Sequence, residues 1–363
     1  MTVTVTFFSA LIWCVLLMLS EVVSADTDVV TTTAGDSVEF PPIFVLNLPR
    51  STERWASAKK QMDDAGLQVN RFDAIDGRAL SRSELQKVST RMAMFLQPRG
   101  VLGCYLSHRA FWQMVVDRNY PSAVIFEDDV RLVPDFKDQF AEHLTLLGNE
   151  TYDVVMLGAI GRIHPDGKDH LGTRIFAAYI GGSRPTKQLA PSYYQPRRPA
   201  GTHAYLVSNE GARKLLKLCP KAVFHVDLDA WRHPSLVIRM FNPMLAYQTF
   251  ESTSLTDMNK VRKGRFVDRL KNLEPIKRLE EWAVDPITLQ PWTHVFDEPL
   301  LQLGPGGYIV TVERQFKVIL WGAALSALSR ALNKRVLSRV FLGGTLAFAA
   351  TVRSLIWALM NWK

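Results

Sequence analysis

The sequence predicts an α/β protein, with a mostly parallel or mixed sheet covered by helices on both faces and a helical tail that is both basic and apolar. Three observations carry this. Short apolar runs, ended by Pro, Gly or acidic residues, alternate with segments of helical period between Ile43 and Leu218. The 363-residue chain is 47% hydrophobic and 21% charged, the balance of one globular core plus appendages. Its formal charge of +8 gathers beyond Thr311, where Arg314, Lys317, Arg330, Lys334, Arg335, Arg339, Arg353 and Lys363 face Glu313 alone. These features exclude a disordered chain, a collagen-like repeat, a small disulfide scaffold and a generally basic nucleic-acid-binding protein. The long central part has no apolar run of spanning length.

The elements follow in order. Phe7–Leu19 is an apolar stretch of signal-peptide length, and Val23-Ser24-Ala25 offers small residues for cleavage, so residues 1–25 read as a signal peptide. No Lys or Arg precedes that stretch, which leaves a short uncleaved anchor as the alternative. Either reading sends the body into the secretory pathway, and Asn149-Glu150-Thr151 is a glycosylation sequon that suits a lumenal surface. Residues 26–40 have no clear period and read as a linker. Once Cys14 leaves with the signal, Cys104 and Cys219 remain, as two buried thiols or one disulfide.

Ile43–Leu48 reads as a strand buried on both faces, Ser51 as the cap of a helix ending near Ala65, and Val69–Phe72 as a second strand. Asp76-Gly77 is a turn, and a helix runs from near Gly103 to Asn119. A third strand, Ala123–Phe126, runs directly into Glu127-Asp128-Asp129. A helix over Pro134–Leu147, a strand over Tyr152–Leu157 and a strand–helix pair over Thr202–Leu218 complete the pattern. In such sheets ligands bind beyond the carboxyl ends of the strands, which is where the acidic triplet falls.

Three adjacent carboxylates at the edge of an apolar core repel one another unless a cation, arginines or water compensates. In extended chain Glu127 and Asp129 share a side and Asp128 faces the other. Hard divalent ions such as Mn²⁺ or Mg²⁺ take carboxylate oxygens and commonly bridge protein to substrate phosphates. The plainer alternatives are a solvated acidic loop or an acidic lead into the helix after Pro134. Zinc is disfavoured, because no spaced cysteine–histidine pattern is evident.

Val45-Leu46-Asn47-Leu48-Pro49-Arg50, with Arg54 four residues on, resembles the opening of glycosyltransferase family 25, which includes lipooligosaccharide and procollagen galactosyltransferases. Phe72-Asp73-Ala74-Ile75-Asp76-Gly77, Gly103-Cys104-Tyr105-Leu106-Ser107-His108, Ala123 to Val130, and Gly201-Thr202-His203-Ala204-Tyr205-Leu206-Val207-Ser208 continue the likeness, and Val226-Asp227 falls on a Val-Asp element of the family. The resemblance covers roughly residues 43–255. It implies a GT-A-type nucleotide-sugar-binding fold over residues 41–258 and inverting transfer of a hexose, most often galactose from UDP-galactose, to a glycan or glycoprotein hydroxyl. The alternative is an inactive lumenal glycan-binding or adhesion protein on the same scaffold.

The resemblance also implies roles. Glu127, Asp128 and Asp129 would form the site for the metal that stabilises the departing diphosphate, Asp128 and Asp129 as ligands and Glu127 as a ligand or as an orienter of the others. Asn47, Arg50 and Arg54 become candidates for the donor phosphates, since a guanidinium fork suits phosphate; the alternative is surface pairing with Glu53 or Asp63. Ser107 and His108 become donor-site contacts and not bases, although a lone helical histidine is otherwise more often a helix-face or core residue. The base that takes the acceptor proton is sought in His225-Val226-Asp227-Leu228-Asp229-Ala230-Trp231. In a strand or turn His225, Asp227 and Asp229 share a face; Asp227, with Asp229 behind it, is the candidate base or further ligand, and Trp231 a sugar-stacking surface. Gly161–Gly201 reads as a mobile loop or plain insertion offering Tyr193, Tyr194, Arg197 and Arg198 as acceptor or phosphate contacts.

Residues 259–312 read as an extension and 313–363 as a membrane-associated helical tail. Val318–Ser329 and Val340–Val352 are uncharged and largely apolar. Either is short for a span, and extending the second places Arg353 inside it. Interfacial helices on anionic headgroups or a strained span are expected, with a hairpin packed on the catalytic domain as the alternative. Together with the leader, this predicts membrane association in the endoplasmic reticulum or Golgi lumen.

Overall fold

The computed structural model describes residues 40–160, 164–167, 174, 184–248, 299–304 and 307–361, all within the unit Val38–Lys363. The signal and most of the linker (1–39), most of 161–183, and 249–298 lie outside the described residues. The chain forms β1 (Ile43–Asn47), α1 (Thr52–Asp64), β2 (Val69–Asp73), α2 (Arg82–Val88), α3 (Arg91–Leu96), α4 (Arg99–Asp117), β3 (Ser122–Glu127), β4 (Val130–Leu132), α5 (Phe136–Leu147) and β5 (Val154–Met156). Then come β6 (Lys187–Ala190), β7 (Tyr193–Gln195), β8 (Ala204–Ser208), α6 (Asn209–Leu218), α7 (Val226–Ala230), β9 (Ile238–Phe241), β10 (Ala246–Gln248), β11 (Pro299–Leu303), β12 (Tyr308–Thr311), α8 (Val312–Ala331) and α9 (Arg335–Asn361).

The central sheet has eight strands in the order β2-β1-β3-β8-β5-β9-β7-β6 and is mixed. β1 pairs in parallel with β2 and β3, and β5 with β9, whereas β8 runs antiparallel between β3 and β5. Side chains alternate across it. Phe44, Leu46, Ala123, Ile125, Tyr205 and Val207 enter one apolar cluster with Leu102, Phe111 and Trp112 of α4 and Leu215 of α6. Ile43, Val45, Val124, Phe126 and Leu206 enter the other, with Met62 of α1 and Phe136 and Phe140 of α5. Helices therefore cover both faces, and the inner strands read as unbroken apolar runs because both of their faces are buried.

Two glycines set the approach of the loop after β2. A Cβ on Gly77 would lie 1.9 Å from the Arg99 carbonyl oxygen, and one on Gly103 would lie 2.6 Å from the Gly77 nitrogen. With both bare, the loop crosses α4 in backbone contact, and Ser107 Oγ accepts the Ile75 N–H at 2.8 Å. Two separate sequence motifs thus meet as one wall of the site.

Several expectations shift. The helix expected from Gly103 begins at Arg99, after Pro98. Tyr193 and Tyr194 lie in β7 rather than in a loop: Tyr194 is fully buried with its hydroxyl on Met240, and Tyr193 is buried beside Glu150, so neither is available to an acceptor. Arg198 is half-buried on the Leu228 carbonyl, while Arg197 is exposed. Cys104 and Cys219 are separate thiols. Asn149 sits exposed in the turn after α5.

Candidate active site

A cleft of about 820 Å³, including its open mouth, lies over the carboxyl ends of β1 and β3. Arg50, Arg54, Ile75, Arg78, Glu127, Asp128 and Asp129 line it, and Gln248 closes one side. Strand pairing brings the acids here: Leu46 of β1 stands beside Glu127, and β10 pairs with β4 so that Gln248 lies opposite Val130.

The triplet does not alternate as an extended chain would. β3 ends at Glu127, and the turn that follows swings Asp128 and Asp129 to a common partner. Arg54 Nη2 pairs with Asp128 Oδ1 and lies 3.3 Å from Asp129 Oδ2. Asn47, itself buried, donates to Asp128 Oδ2 at 2.6 Å and accepts from Arg71 at 2.6 Å. Gln248 donates to both oxygens of Asp129, at 3.1 and 3.2 Å.

Glu127 turns the other way, where Thr202 Oγ1 donates to its Oε1 at 2.6 Å and His108 Nε2 lies 3.3 Å from the same oxygen. A carboxylate only accepts, so the network puts the His108 proton on Nε2 and leaves Nδ1 to accept from the Tyr205 hydroxyl at 3.0 Å. The Tyr205 oxygen in turn accepts the Trp112 indole N–H at 2.9 Å. His108, fully buried, thus orients Glu127 rather than meeting a donor directly. Ser107 does line the cleft, with its hydroxyl donating to the Gly103 carbonyl and accepting from Ile75. Asn47 is a support for Asp128, not a phosphate contact.

These surroundings divide the charge. Burial pushes the Glu127 carboxyl up, but the bonds from His108 and Thr202 more than reverse this and hold it below its ordinary value. Burial raises Asp128 despite Arg54 and Asn47. Asp129 is pushed up to about 8, by burial first and by the Glu127 charge second, against the pull of Arg54. Glu127 is therefore the settled charge and Asp129 the strained one.

Carboxylate oxygens that burial keeps from ionising readily are the kind of donor a hard divalent cation takes, and Asp128 and Asp129 are the residues that could hold Mn²⁺ or Mg²⁺ here. Cys104 and His108, four residues apart on α4, also bring ligand atoms within 4.8 Å of Glu127. The cysteine–histidine spacing that the sequence appeared to lack is therefore present, as a helical i,i+4 pair. Both His108 nitrogens are engaged by Tyr205 and Glu127.

Of the arginines, Arg50 pairs with Asp76 across the mouth and Arg54 with Asp128 and Asp129, not with Glu53 or Asp63. The His225–Trp231 segment does not present one face. Val226–Ala230 is a short helix, in which residues two apart point nearly oppositely. Asp229 is fully buried, accepting from Tyr105 at 2.6 Å and from Arg232 at 3.1 Å, and Trp231 is buried with its indole on the Gly201 carbonyl. Neither lines the cleft. Asp227 is half-buried and accepts the Gly201 N–H at 2.6 Å, one residue from Thr202, outside the cleft lining. Sequence reasoning missed Arg78 and Gln248. Arg78 directly follows the Asp76-Gly77 turn, a signal within reach, whereas nothing local marks Gln248.

Residues 40–229 match glycosyltransferase family 25 (LPS biosynthesis protein). The chain is 29% identical over 196 residues to a glycosyltransferase 25 family member of Aedes aegypti, covering 51% of this chain and 29% of that one. It is 27% identical over 199 residues to procollagen galactosyltransferase 2 of Homo sapiens, covering 51% and 29%, and 30% identical over 198 residues to inactive glycosyltransferase 25 family member 3 of Mus musculus, covering 50% and 29%. The chain spans under a third of the length of these relatives. The matched stretch takes up more than half of the chain, opening just before β1 and closing inside α7, and holds Asn47, Arg54, His108 and Thr202, which bond to the acidic triplet, but not Gln248; the chain belongs to glycosyltransferase family 25.

Proposed function

We propose that the chain transfers a hexose, galactose from UDP-galactose in the first instance, to a hydroxyl of a glycan or glycoprotein in the lumen of the secretory pathway. The observation that supports this best is the Asp128–Asp129 pair at the carboxyl end of β3, in a cleft that also holds Arg50, Arg54 and Arg78. An acidic pair beside three guanidinium groups suits a metal-bound pyrophosphate, which needs both kinds of partner.

Asp128 and Asp129 would hold Mn²⁺ or Mg²⁺, which supplies positive charge against the diphosphate leaving group. Asn47 and Gln248 fix those two carboxylates, and His108 with Thr202 fixes Glu127. Arg50, Arg54 and Arg78 bind the phosphate oxygens. The acceptor oxygen bonds to the anomeric carbon as the bond to the diphosphate breaks, inverting the centre. Its proton passes to a carboxylate; Asp229 is sealed in the core, which leaves Asp227, outside the cleft lining but held on the Gly201 N–H beside Thr202, as the candidate, to be reached by an acceptor that extends past Glu127.

A second reading has its own observation: Arg54 already stands as a counter-charge between Asp128 and Asp129, where a binding protein without metal would need one. Transfer and donor hydrolysis with UDP-sugars, with Mn²⁺ and after chelation, separate the two. Metal-dependent turnover supports the transferase. Silence with every nucleotide sugar, in protein shown to be folded, supports the binder.

A further inference from the structure

The C-terminal helices are built inside out. α8 and α9 pack antiparallel, yet small and polar residues lie between them. A Cβ on Gly322 would lie 1.7 Å from Thr345 Oγ1, and Ser326 Oγ lies 2.9 Å from both the carbonyl oxygen and the hydroxyl of Ser338. The buried positions of α9 recur every seven residues: Ser338 and Thr345 face α8, while Val352 and Leu359, nearer the catalytic domain, join its apolar core. The large apolar side chains face outward: Leu320 and Trp321 are 65% and 66% exposed, Val336 76%, and Val340 and Leu346 60% each. A hairpin folded in water would place them the other way round, because burial of large apolar groups is what drives helices together there. Small residues inside and large apolar residues outside is how helices pack in lipid, where apolar area gives no reason to associate.

The charges give the surface its edges. Counting from the Gly322–Thr345 contact at 1.5 Å per residue, Lys317 and Arg353 lie about 8 and 12 Å toward the catalytic domain. Arg330 and Arg339 lie about 12 and 9 Å toward the turn, with Lys334 and Arg335 beyond them. The uncharged runs Val318–Ser329 and Val340–Val352 thus lie side by side, forming one apolar band about 18–20 Å deep between two belts of positive charge. Snorkelling Lys and Arg side chains extend such a band by several ångströms at each edge, toward the roughly 30 Å of a hydrocarbon core. Arg353 falls in the domain-side belt, level with the start of α8, and is not a mid-bilayer charge. α9 is also long and apolar enough to cross by itself. Both outer ends stay with the catalytic domain: Val312 at the start of α8 joins its apolar core, and at the end of α9 Arg232 donates to the Met360 carbonyl at 2.5 Å and to Asn361 at 3.0 Å.

We propose that α8 and α9 cross a lipid bilayer as a two-helix hairpin, with the basic turn at Arg330–Arg339 on the face opposite the catalytic domain. Only the direction of crossing rests on the lumenal reading above. With the domain in the lumen, the four cations of the turn meet the anionic cytoplasmic leaflet, the side on which Lys and Arg accumulate.

The test uses the full chain expressed in cells, with an epitope inserted between Asn333 and Lys334 in the exposed turn. Carbonate extraction and antibody access are read after the plasma membrane alone is permeabilised. The expected result is a carbonate-resistant protein whose turn epitope is stained while the catalytic domain is protected. Domain stained and turn protected would support the crossing and overturn the lumenal reading. Turn and domain on the same side would overturn the crossing. So would release by carbonate, including release as a dimer whose copies cover each other's apolar faces.

Discussion

Arg54 Nη2 lies between the carboxylates of Asp128 and Asp129, pairing with the first and standing 3.3 Å from the second. One guanidinium thus sits where two hard-oxygen ligands converge, and it competes for them with any divalent cation. Arg54→Gln leaves the acids without that counter-charge, so the stabilisation conferred by millimolar Mn²⁺, read as a shift in Tm, is expected to be larger in the variant than in the parent. UDP-sugar affinity is expected to fall, because the same side chain reaches the phosphates once displaced. Equal Mn²⁺ shifts in parent and variant would remove Arg54 from the metal equilibrium.

Thr202 and His108 hold Glu127 from two elements, β8's leading residues and α4. Thr202→Val keeps the shape and removes a hydrogen bond to a buried carboxylate, a loss of about 1–3 kcal/mol. Urea unfolding measures it. His108→Gln tests the rest of the chain from Trp112 through Tyr205; it is expected to lower kcat more than it raises KM for the donor, since it misplaces an acid rather than a binding contact.

The core of the fold was legible because β1, β3 and β8 are buried on both faces and must be apolar throughout, as Ile43–Leu46 and Ala123–Phe126 show. The acidic triplet was legible for the converse reason: charge directly abutting such a run has few structural explanations. What stayed hidden was geometry set from afar. Residues of β6 and β7 looked like loop because strands of four and three residues carry almost no period, and only pairing with β9 defines them. Gln248 reaches Asp129 through the β10–β4 pairing, more than a hundred residues away in sequence. Asp227 and Asp229 looked as if they shared a face until α7 turned them apart.

Two buried groups set opposing pH dependences in metal-free protein. Burial lowers His203 to about 4, against about 6.5 when unfolded, so the unfolded chain binds the extra proton between those values and stability falls as pH drops through that window. Asp129, raised to about 8 in the native state, binds the proton only when folded, so its contribution falls as pH rises toward 8. The two slopes cancel between about pH 4 and 6.5. Of these two only Asp129 acts above 6.5, and its contribution is expected to decline by about 2 kcal/mol up to pH 8. In chelator, Asp129→Asn is expected to flatten the alkaline decline and to uncover the His203 slope below pH 6.5. An unchanged profile in that variant would refute the assignment.

Asp227 and Asp229 make the sharpest pair of variants, because they are two residues apart and the structure gives them different work. Asp229 is sealed among Tyr105, Arg232 and the core, so Asp229→Asn weakens a buried ion pair and is expected to destabilise the fold by on the order of 3 kcal/mol. Its effect on turnover should vanish below the melting range. Asp227 is half-buried, and an asparagine retains an oxygen for the Gly201 N–H while losing the ability to take a proton. Asp227→Asn is therefore expected to keep Tm and UDP-sugar binding and to lose about 10²–10⁴-fold in kcat for transfer. Loss of Tm with turnover preserved in the surviving folded protein would reverse the assignment: Asp227 would then be a clamp on the Gly201–Thr202 turn, and the base would have to be sought among the carboxylates of the cleft itself.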